Sequence, residues 1–516
     1  MRWRSSSTTS PVAAASRSIT NGTAIRAERR SASLQEGNRV TADSYQNPLI
    51  TRYASNEMAA VFGPRFRARI WRELWIALAE AERQLGLDIS EETIAAMRAS
   101  IDTIDLDRIA ELESKSRHEV MAQIHAFGEV APAAKGVIHL GATSAFVMDN
   151  ADLIQHREAL KLIRRRVLSV LAALREQALE HRDVPCVGYT HLQPAQPTTV
   201  GKRIALWMQD LLLDLESLDF RLAKLRFRST RGATGTEASF LILFDGDSEK
   251  VDKLNTLVAE KMGFDQVYGV SAQTYTRKVD ATLLAALSDI AQSASKFAND
   301  IRLLQNFGEV QEPFGKSQVG SSAMAHKRNP MRCERINALA RHVMVLALDP
   351  AITSAAQWLE RTLDDSANKR IAVPEAYLGC DAVLLLWHNV AAGLDVHPDV
   401  AARRLAEQLP YLAAEPVLLL AARRGGDRQK LHEVIRRHAI AAAEEVRQGK
   451  ANDLVERLAG DPAIGIEREG LERLLTPEAM VGRAPQQVER FIAEAVDPAL
   501  ERHAEEIEKD SPTLTV

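Results

Sequence analysis

This 516-residue sequence predicts an all-α fold, with an elongated central long-helix bundle flanked by two smaller helical domains. Three observations carry that expectation. Ala, Leu, Arg and Glu dominate the composition, and all are good helix formers. Apolar residues recur four and three apart through Leu283, Leu287, Ile290, Ala294, Phe297, Ile301 and Leu304, which is a coiled-coil-like seam. Strand signals are weak and local.

The elements follow in order. Residues 1–44 form a tail. Its first 33 residues hold six arginines, many Ser and Thr, and a single acidic residue, Glu28. Such a composition cannot bury a core, so disorder is expected. It fits an organellar transit peptide or a dispensable tail. Residues 45–143 read as an N-terminal helical domain that ends in the loop His139-Leu-Gly-Ala-Thr-Ser144. Residues 144–396 read as the central bundle. Its helices are expected near Ala159 to His181, Gly201 to Arg228 and Val279 to Phe307. On the second, Ile204, Trp207, Leu211, Leu215, Leu218, Leu222 and Leu225 share related faces. Helices this long pack side by side and leave apolar faces for other subunits. Residues 397–516 read as a C-terminal helical domain with Gly425-Gly426 and shorter helices. One helix starts near Arg483, with Pro485 in its first turn. No repeat of 20–50 residues is visible.

Charge and cysteine usage exclude several classes. The net charge of -4 argues against general nucleic-acid binding. Cys186, Cys333 and Cys380 are far apart, so neither a zinc site nor a disulfide framework is suggested, and a reduced cytosolic setting is expected. No uninterrupted apolar run reaches membrane-spanning length.

Four polar loops punctuate the helices: Ser116-Arg-His-Glu-Val-Met121, Gly141-Ala-Thr-Ser144, Gly188-Tyr-Thr-His-Leu-Gln-Pro-Ala-Gln196 and Gly320-Ser-Ser-Ala-Met-Ala-His-Lys-Arg-Asn-Pro330. The last brings hydroxyls and cations together between a glycine and a proline, which suits a mobile loop better than a core element. In the third, proline-bounded turns would hold His191 at a fixed place beside a helix end. Gly232-Ala-Thr-Gly235 is too weak a pattern to claim a phosphate loop.

The Gly320–Pro330 stretch resembles the catalytic loop of the fumarase/aspartase superfamily of lyases. Ala325 stands where that pattern has proline. Gly141-Ala-Thr-Ser144 and Thr190-His-Leu-Gln-Pro-Ala-Gln196 resemble the superfamily's first and second motifs. Tyr275-Thr-Arg-Lys278 after Gln273, and Gln357-Trp-Leu-Glu-Arg-Thr-Leu-Asp-Asp-Ser-Ala-Asn368, are similar to the adenylosuccinate lyase family, in its animal-type branch. The resemblance covers about Ser44 to Leu500.

The resemblance implies two β-eliminations without cofactor or metal. Adenylosuccinate gives AMP and fumarate, and the succinyl-carboxamide ribotide SAICAR gives AICAR and fumarate. Such chemistry needs a base for a proton next to a carboxylate, cations for the charge that builds there, and an acid for the departing nitrogen. The resemblance makes Ser321 the base, activated by a partner or a positive field. Ser322 beside it is chemically equal. Lys327 is the nearest candidate for that field. His191 becomes the general acid, with a ring that titrates near ~6.5 when unperturbed. Arg52, Tyr53, Arg361, Ser366 and Arg370 are implied in nucleotide binding, where arginine forks suit phosphate. Ser366 and Arg370 fall on one helical face. Thr143, Ser144 and Gln273 are implied at the succinyl carboxylates, and Lys327 and Arg335 in the cationic wall. Arg117, His118 and Glu119 join the substrate set. His118 orients substrate or sets its neighbours' charge, although a helix-start histidine reads the same way. Glu119 stands where close relatives have aspartate.

The resemblance further implies a homotetramer with shared active sites, acting on small nucleotides; the cysteines point to the cytoplasm, and charge balance and apolar run length argue against nucleic-acid and membrane partners. Two other readings stay open. Argininosuccinate lyase, fumarase and aspartase share the loop, but their substrates lack the phosphate that Arg361, Ser366 and Arg370 suit. A silent helical scaffold would be favoured by loss of His191, Ser321 or Lys327, and all three are present.

Overall fold

A computed structural model describes residues 44–315, 318, 320, 322–508, 510, 512 and 514. The tail assigned to residues 1–44 therefore lies outside the described residues, except Ser44. The elements that matter here are α1 (Pro64–Gln84), α2 (Glu119–Val130), α3 (Ser144–Glu180), the strands β1 (Pro185–Thr190) and β2 (Gln193–Thr199), α4 (Val200–Lys224), α5 (Lys278–Phe307), α6 (Met331–Leu346), α7 (Asp364–Ala392) and α8 (Pro398–Leu412). Shorter helices fill the rest.

The core of the bundle is the seam read from the sequence. Every seam residue from Leu283 to Leu304 is buried. Phe297 sits between two tryptophans. Trp207 of α4 meets it edge-on at 4.9 Å, and Trp387 of α7 stacks on it at 5.3 Å. Such offset and edge geometries suit the ring quadrupoles. Trp207 also donates from Nε1 to Asp300 Oδ2 at 2.8 Å, so its one polar atom is satisfied.

Two helices differ from expectation, each for a physical reason. Helix α3 begins at Ser144, well before Ala159. Its first turns bury Asp149, Asn150, Gln155 and His156. Polar residues on a buried face are invisible to apolar periodicity. Helix α4 stops at Lys224 rather than near Arg228. There Asn150 Oδ1 accepts from the Arg228 and Ser229 N–H groups at 3.1 and 2.9 Å, and holds that backbone outside a helix.

Helix α7 is the one described helix long and apolar enough to cross a membrane by length and composition. Most of it is buried inside the bundle. It carries Pro374 within its length and the fully buried Asp381, whose Oδ2 accepts from the Ser55 N–H at 2.7 Å.

A second core joins Trp71, Trp75 and Phe127 to Phe227, Phe240, Val251 and Leu254, so the 227–275 stretch packs on the N-terminal helices. A third core holds Val417, Leu431, Leu454 and Leu471. The chain then returns, and Val488, Ile492 and Val496 join the central core. The helix start expected near Arg483 is observed at Ala484, with proline in its first turn. Among the described residues, the strands are confined to two short antiparallel pairs, β1 with β2 and Val310–Gln311 with Asp395–Val396.

Two outcomes are expected for stability. Leu287→Ala should lower the unfolding free energy by about 2–5 kcal/mol, read from denaturant midpoints, because a fully buried seam leucine leaves a cavity. Glu82 of α1 is fully buried, and burial raises its pKa from 4.5 to about 9. An acid whose folded pKa exceeds its unfolded one weakens the fold as pH rises between the two values. Wild type should therefore lose stability relative to Glu82→Gln between pH 4.5 and 9, as measured by melting across that range.

Candidate active site

A cleft of about 390 Å³ is lined by Arg117, His118, Glu119, Thr143, Ser144, Gln273, Arg361, Ser366 and Arg370, together with apolar neighbours such as Met148 and Leu363. Nine of the residues expected from the sequence thus meet in one place. One wall is the N-terminus of α3. Thr143 is its N-cap residue, but the hydroxyl makes no cap bond. Thr143 Oγ1 is buried and has no hydrogen-bond partner among the described residues. A free hydroxyl beside the unpaired N–H groups of a long helix suits a carboxylate. The approach to this N-terminus needs Gly141. Its φ is +65°, and a Cβ there would lie 2.7 Å from Leu243 Cδ1.

His118 starts α2. Its Nδ1 accepts from the Met121 N–H at 3.3 Å, which leaves Nε2 to carry the proton of the neutral ring. The preceding residue, Arg117, has a left-handed backbone with φ 52°. Behind this loop, His139 Nδ1 accepts from Trp75 Nε1 at 2.9 Å. Burial first, and then the nearby His118, lower its pKa to about 4, so it stays neutral at pH 7.

The opposite wall is cationic and braced from behind. Arg361 Nη1 donates to Gln273 Oε1 at 2.9 Å, and Gln273 Nε2 donates to the Ala233 carbonyl at 3.0 Å. Arg361 Nη2 lies 4.0 Å from Asp365 Oδ1. Asp365 is fully buried and accepts at Oδ2 from Arg277 Nε at 2.6 Å, while Arg277 Nη2 reaches Asp149 Oδ1 at 3.1 Å. Burial alone would raise the Asp149 pKa. Arg277, Lys369 and Arg228 outweigh it and hold that carboxyl below its usual range. Lys369 also pairs with Asp152. Ser366 and Arg370 lie one turn apart on α7, as their spacing implied, whereas Arg361 precedes that helix. Both Glu119 oxygens are taken, by Arg370 at 2.7 Å and Arg67 at 2.6 Å.

Arg52, Tyr53 and Arg335 fall elsewhere. They line a second cavity of about 310 Å³ with Leu385, Leu386 and Leu514, and the Arg335 guanidinium sits 5.7 Å over the Tyr53 ring. His191 and Lys327 line neither cavity. Ser321 lies outside the described residues. Lys327 is exposed, and its N–H donates to the Met324 carbonyl at 3.0 Å.

His191 occupies the tip of a β-hairpin, not a turn beside a helix end. Thr190 pairs with Gln193, and His191 and Leu192 take φ 52° and 57°. Two positive φ values match the twist of the flanking strands, but glycine or asparagine usually supplies them. A histidine and a leucine there store strain, which persists where surrounding structure enforces it. Pro194 and Pro197 lie in β2, where a two-stranded sheet tolerates missing donors. The hairpin is bulged at Gly188, where a Cβ would meet the Gln196 carbonyl oxygen at 2.4 Å. Arg203 Nη2 donates to the Val187 carbonyl at 2.7 Å, and the Tyr189 ring packs on Phe307 at 5.2 Å.

Sequence reasoning gave no role to Asp149, Arg277, Asp365 or Lys369, which brace the cleft. The available signal was weak: each lies within the first turns, or at the cap, of a helix that starts at the cleft. Among the described residues, no group of three or more His, Cys, Asp or Glu is arranged to hold a metal ion.

Known proteins resemble this chain over most of its length. The family described as "Lyase" matches residues 52–345, and "Adenylosuccinate lyase C-terminus" matches residues 410–491. The adenylosuccinate lyase of Saccharomyces cerevisiae is 47% identical over 479 residues, covering 92% of this chain and 99% of that protein. That of Schizosaccharomyces pombe is 45% identical over 477 residues, with 92% and 99% covered. The crystal structure of the 3-carboxy-cis,cis-muconate lactonizing enzyme from Pseudomonas putida superposes with a TM-score of 0.75 at 26% identity, covering 87% of this chain and 99% of that one. A fumarate lyase from Mesorhizobium sp. BNC1 gives the same TM-score and identity, with 87% and 100% covered. This chain, from its cleft to its C-terminal helices, belongs to the adenylosuccinate lyase family.

Proposed function

We propose that this chain is a carbon–nitrogen lyase that releases fumarate from adenylosuccinate, leaving AMP, and from SAICAR, leaving AICAR, in purine nucleotide synthesis. The observation that carries the reading is the cleft itself. It sets the unpartnered Thr143 hydroxyl and a helix N-terminus among Arg361, Ser366 and Arg370. A substrate with succinyl carboxylates and a phosphate needs such a surface.

The chemistry assigns roles in order. Thr143, Ser144 and Gln273 bond the succinyl carboxylates. Arg52, Tyr53, Arg361, Ser366 and Arg370 hold the nucleotide, and Arg117, His118 and Glu119 orient the substrate. Ser321 removes the proton from the carbon beside a carboxylate. The electron pair moves onto that carboxylate, where Lys327 and Arg335 stabilise the extra charge. The pair then forms the fumarate double bond as the C–N bond breaks. His191 supplies the proton to the departing nitrogen. No step needs a cofactor.

His191, Lys327, Arg52, Tyr53 and Arg335 do not line the cleft of their own chain. A homotetramer with sites shared between subunits supplies them from neighbours. Supporting this, α4 exposes Leu206, Leu213 and Phe220 at seven-residue spacing, a stripe suited to another helix. Residence in the cytoplasm accords with three buried, unpaired cysteines.

Purified chain given adenylosuccinate and then SAICAR, with a chelator present, should release fumarate from both, followed by proton NMR. Ser321→Ala should abolish the signal, and an active Ser321→Ala chain would remove this serine from the mechanism. His191→Ala and Ser321→Ala chains, each inactive, should regain partial activity when mixed and reassembled. Verified hybrids without activity would rule out shared sites. Arg361→Ala should raise KM about tenfold or more with a smaller change in kcat, as loss of a charge-assisted phosphate contact predicts. Initial rates over a substrate series test this, and an unchanged KM would place the phosphate elsewhere.

A further inference from the structure

The chain leaves α5 at Phe307, passes Glu312, runs through the loop carrying Gly320 and Lys327, and re-enters helix at Met331. Helix α6 begins without a side-chain cap from its own N-cap residue, Pro330. A carboxylate from the other end of the loop replaces it. Glu312 is only 3% exposed. Its Oε1 accepts from the Arg332 N–H at 3.1 Å, and its Oε2 accepts from the Cys333 N–H at 3.0 Å. An anion at a helix N-terminus is favoured by both the hydrogen bonds and the helix dipole.

Other bonds tie the same two ends. Gln305 Oε1 accepts from the Glu312 N–H at 3.2 Å, and Gln305 Nε2 donates to the Arg328 carbonyl at 2.9 Å. The Arg332 side chain donates to the Pro313 carbonyl. Higher in the loop, Asn329 Nδ2 donates to the Gly320 carbonyl at 2.8 Å. Gly320 itself packs on the Lys327 carbonyl so closely that a Cβ would lie 2.1 Å away. Position is therefore transmitted from the base of the loop to Lys327, and along α6 to Arg335.

We propose that Glu312 is a positioning residue for the elimination. By capping α6 with both oxygens, it fixes the two feet of the Gly320–Pro330 loop against each other. It thereby sets Lys327 and Arg335 where charge develops on the substrate. This role rests on the loop carrying the reacting groups, as proposed above. Two acceptors on one side chain are required. Glutamine keeps one acceptor but turns an NH2 group toward a backbone N–H, so one of the two feet is released. Displacement of about 1 Å at a reacting group is enough to lower a rate about 10²-fold.

The test uses the full-length chain with Glu312→Gln and, as a second lesion of the same tie, Gln305→Ala. Fumarate release from adenylosuccinate gives kcat and KM, and trypsin reports access to the Lys327 and Arg328 bonds. Glu312→Gln should lower kcat about tenfold or more with KM within about twofold. It should speed cleavage after Lys327 or Arg328 while circular dichroism and assembly mass stay those of wild type. Gln305→Ala should move the same readouts in the same direction, and it decides the matter if Glu312→Gln does not fold. Wild-type kcat in the folded variants, or a lower kcat with unchanged cleavage at the loop, would overturn the role. A wild-type chain that releases no fumarate would instead remove the proposed function, so the two failures are distinguishable.

Discussion

Three long helices of this protein start at one place, and the buried Asp149–Arg277–Asp365 chain of charges holds those starts together. Asp149 belongs to the first turns of α3, Arg277 immediately precedes α5, and Asp365 lies in the first turn of α7. Each helix brings unpaired N–H groups and a partial positive charge to its start. Bringing three such ends together is unfavourable unless negative charge lies among them. Two buried carboxylates supply that charge, and Arg277 bonds to both. Removing one member would leave an uncompensated buried charge, which typically costs about 3–5 kcal/mol. The same arrangement makes the cleft, because Thr143, Gln273 and Arg361 sit just outside those starts.

The substrate-binding and proton-donating parts of the proposed chemistry are placed by different means. Gln273 and Arg361 hold each other and are backed by rigid helices. His191 is held by a short hairpin whose tip has two positive φ values and whose bulge admits only glycine at position 188. Tyr189, its ring tilted against Phe307, ties that hairpin to the end of α5. The loop bearing Lys327 also leaves from that end, so the hairpin and the loop share a foundation. Beside it, the buried Glu309 pairs with Arg404 of α8 at 3.1 Å and lies 3.9 Å from Arg203 of α4. The C-terminal helices thus contribute to the footing of the hairpin, although they hold no residue of the cleft.

Much of this was legible in the chain. The seam from Leu283 to Leu304 was readable because α5 is apolar on one face and regular along its length. Ser366 and Arg370 were placed on one face by spacing alone. The start of α3 was not legible, because Asn150 and His156 are polar and yet buried. Their partners lie far away in sequence: Asn150 bonds Ser229, and His156 bonds Tyr377 and Asp280. The hairpin was missed for a related reason. Its prolines read as turn signals, whereas the pairing that makes them strand residues depends on the bulge at Gly188.

By itself, the sequence determined the helical class and the long seam, because these depend on residue type and on spacing within one element, and its family resemblance named the candidate site side chains. Only the tertiary structure decided which of those side chains share a cleft. It gathers Arg117, Thr143, Gln273, Arg361 and Arg370 into one cavity and places Arg52, Tyr53 and Arg335 around another. It also decided which charges brace the site rather than form it. The physical reason is that a carboxylate's role is set by its partners and its exposure to water. For Asp365 and Glu312, both are fixed by chain segments that meet only when the protein folds.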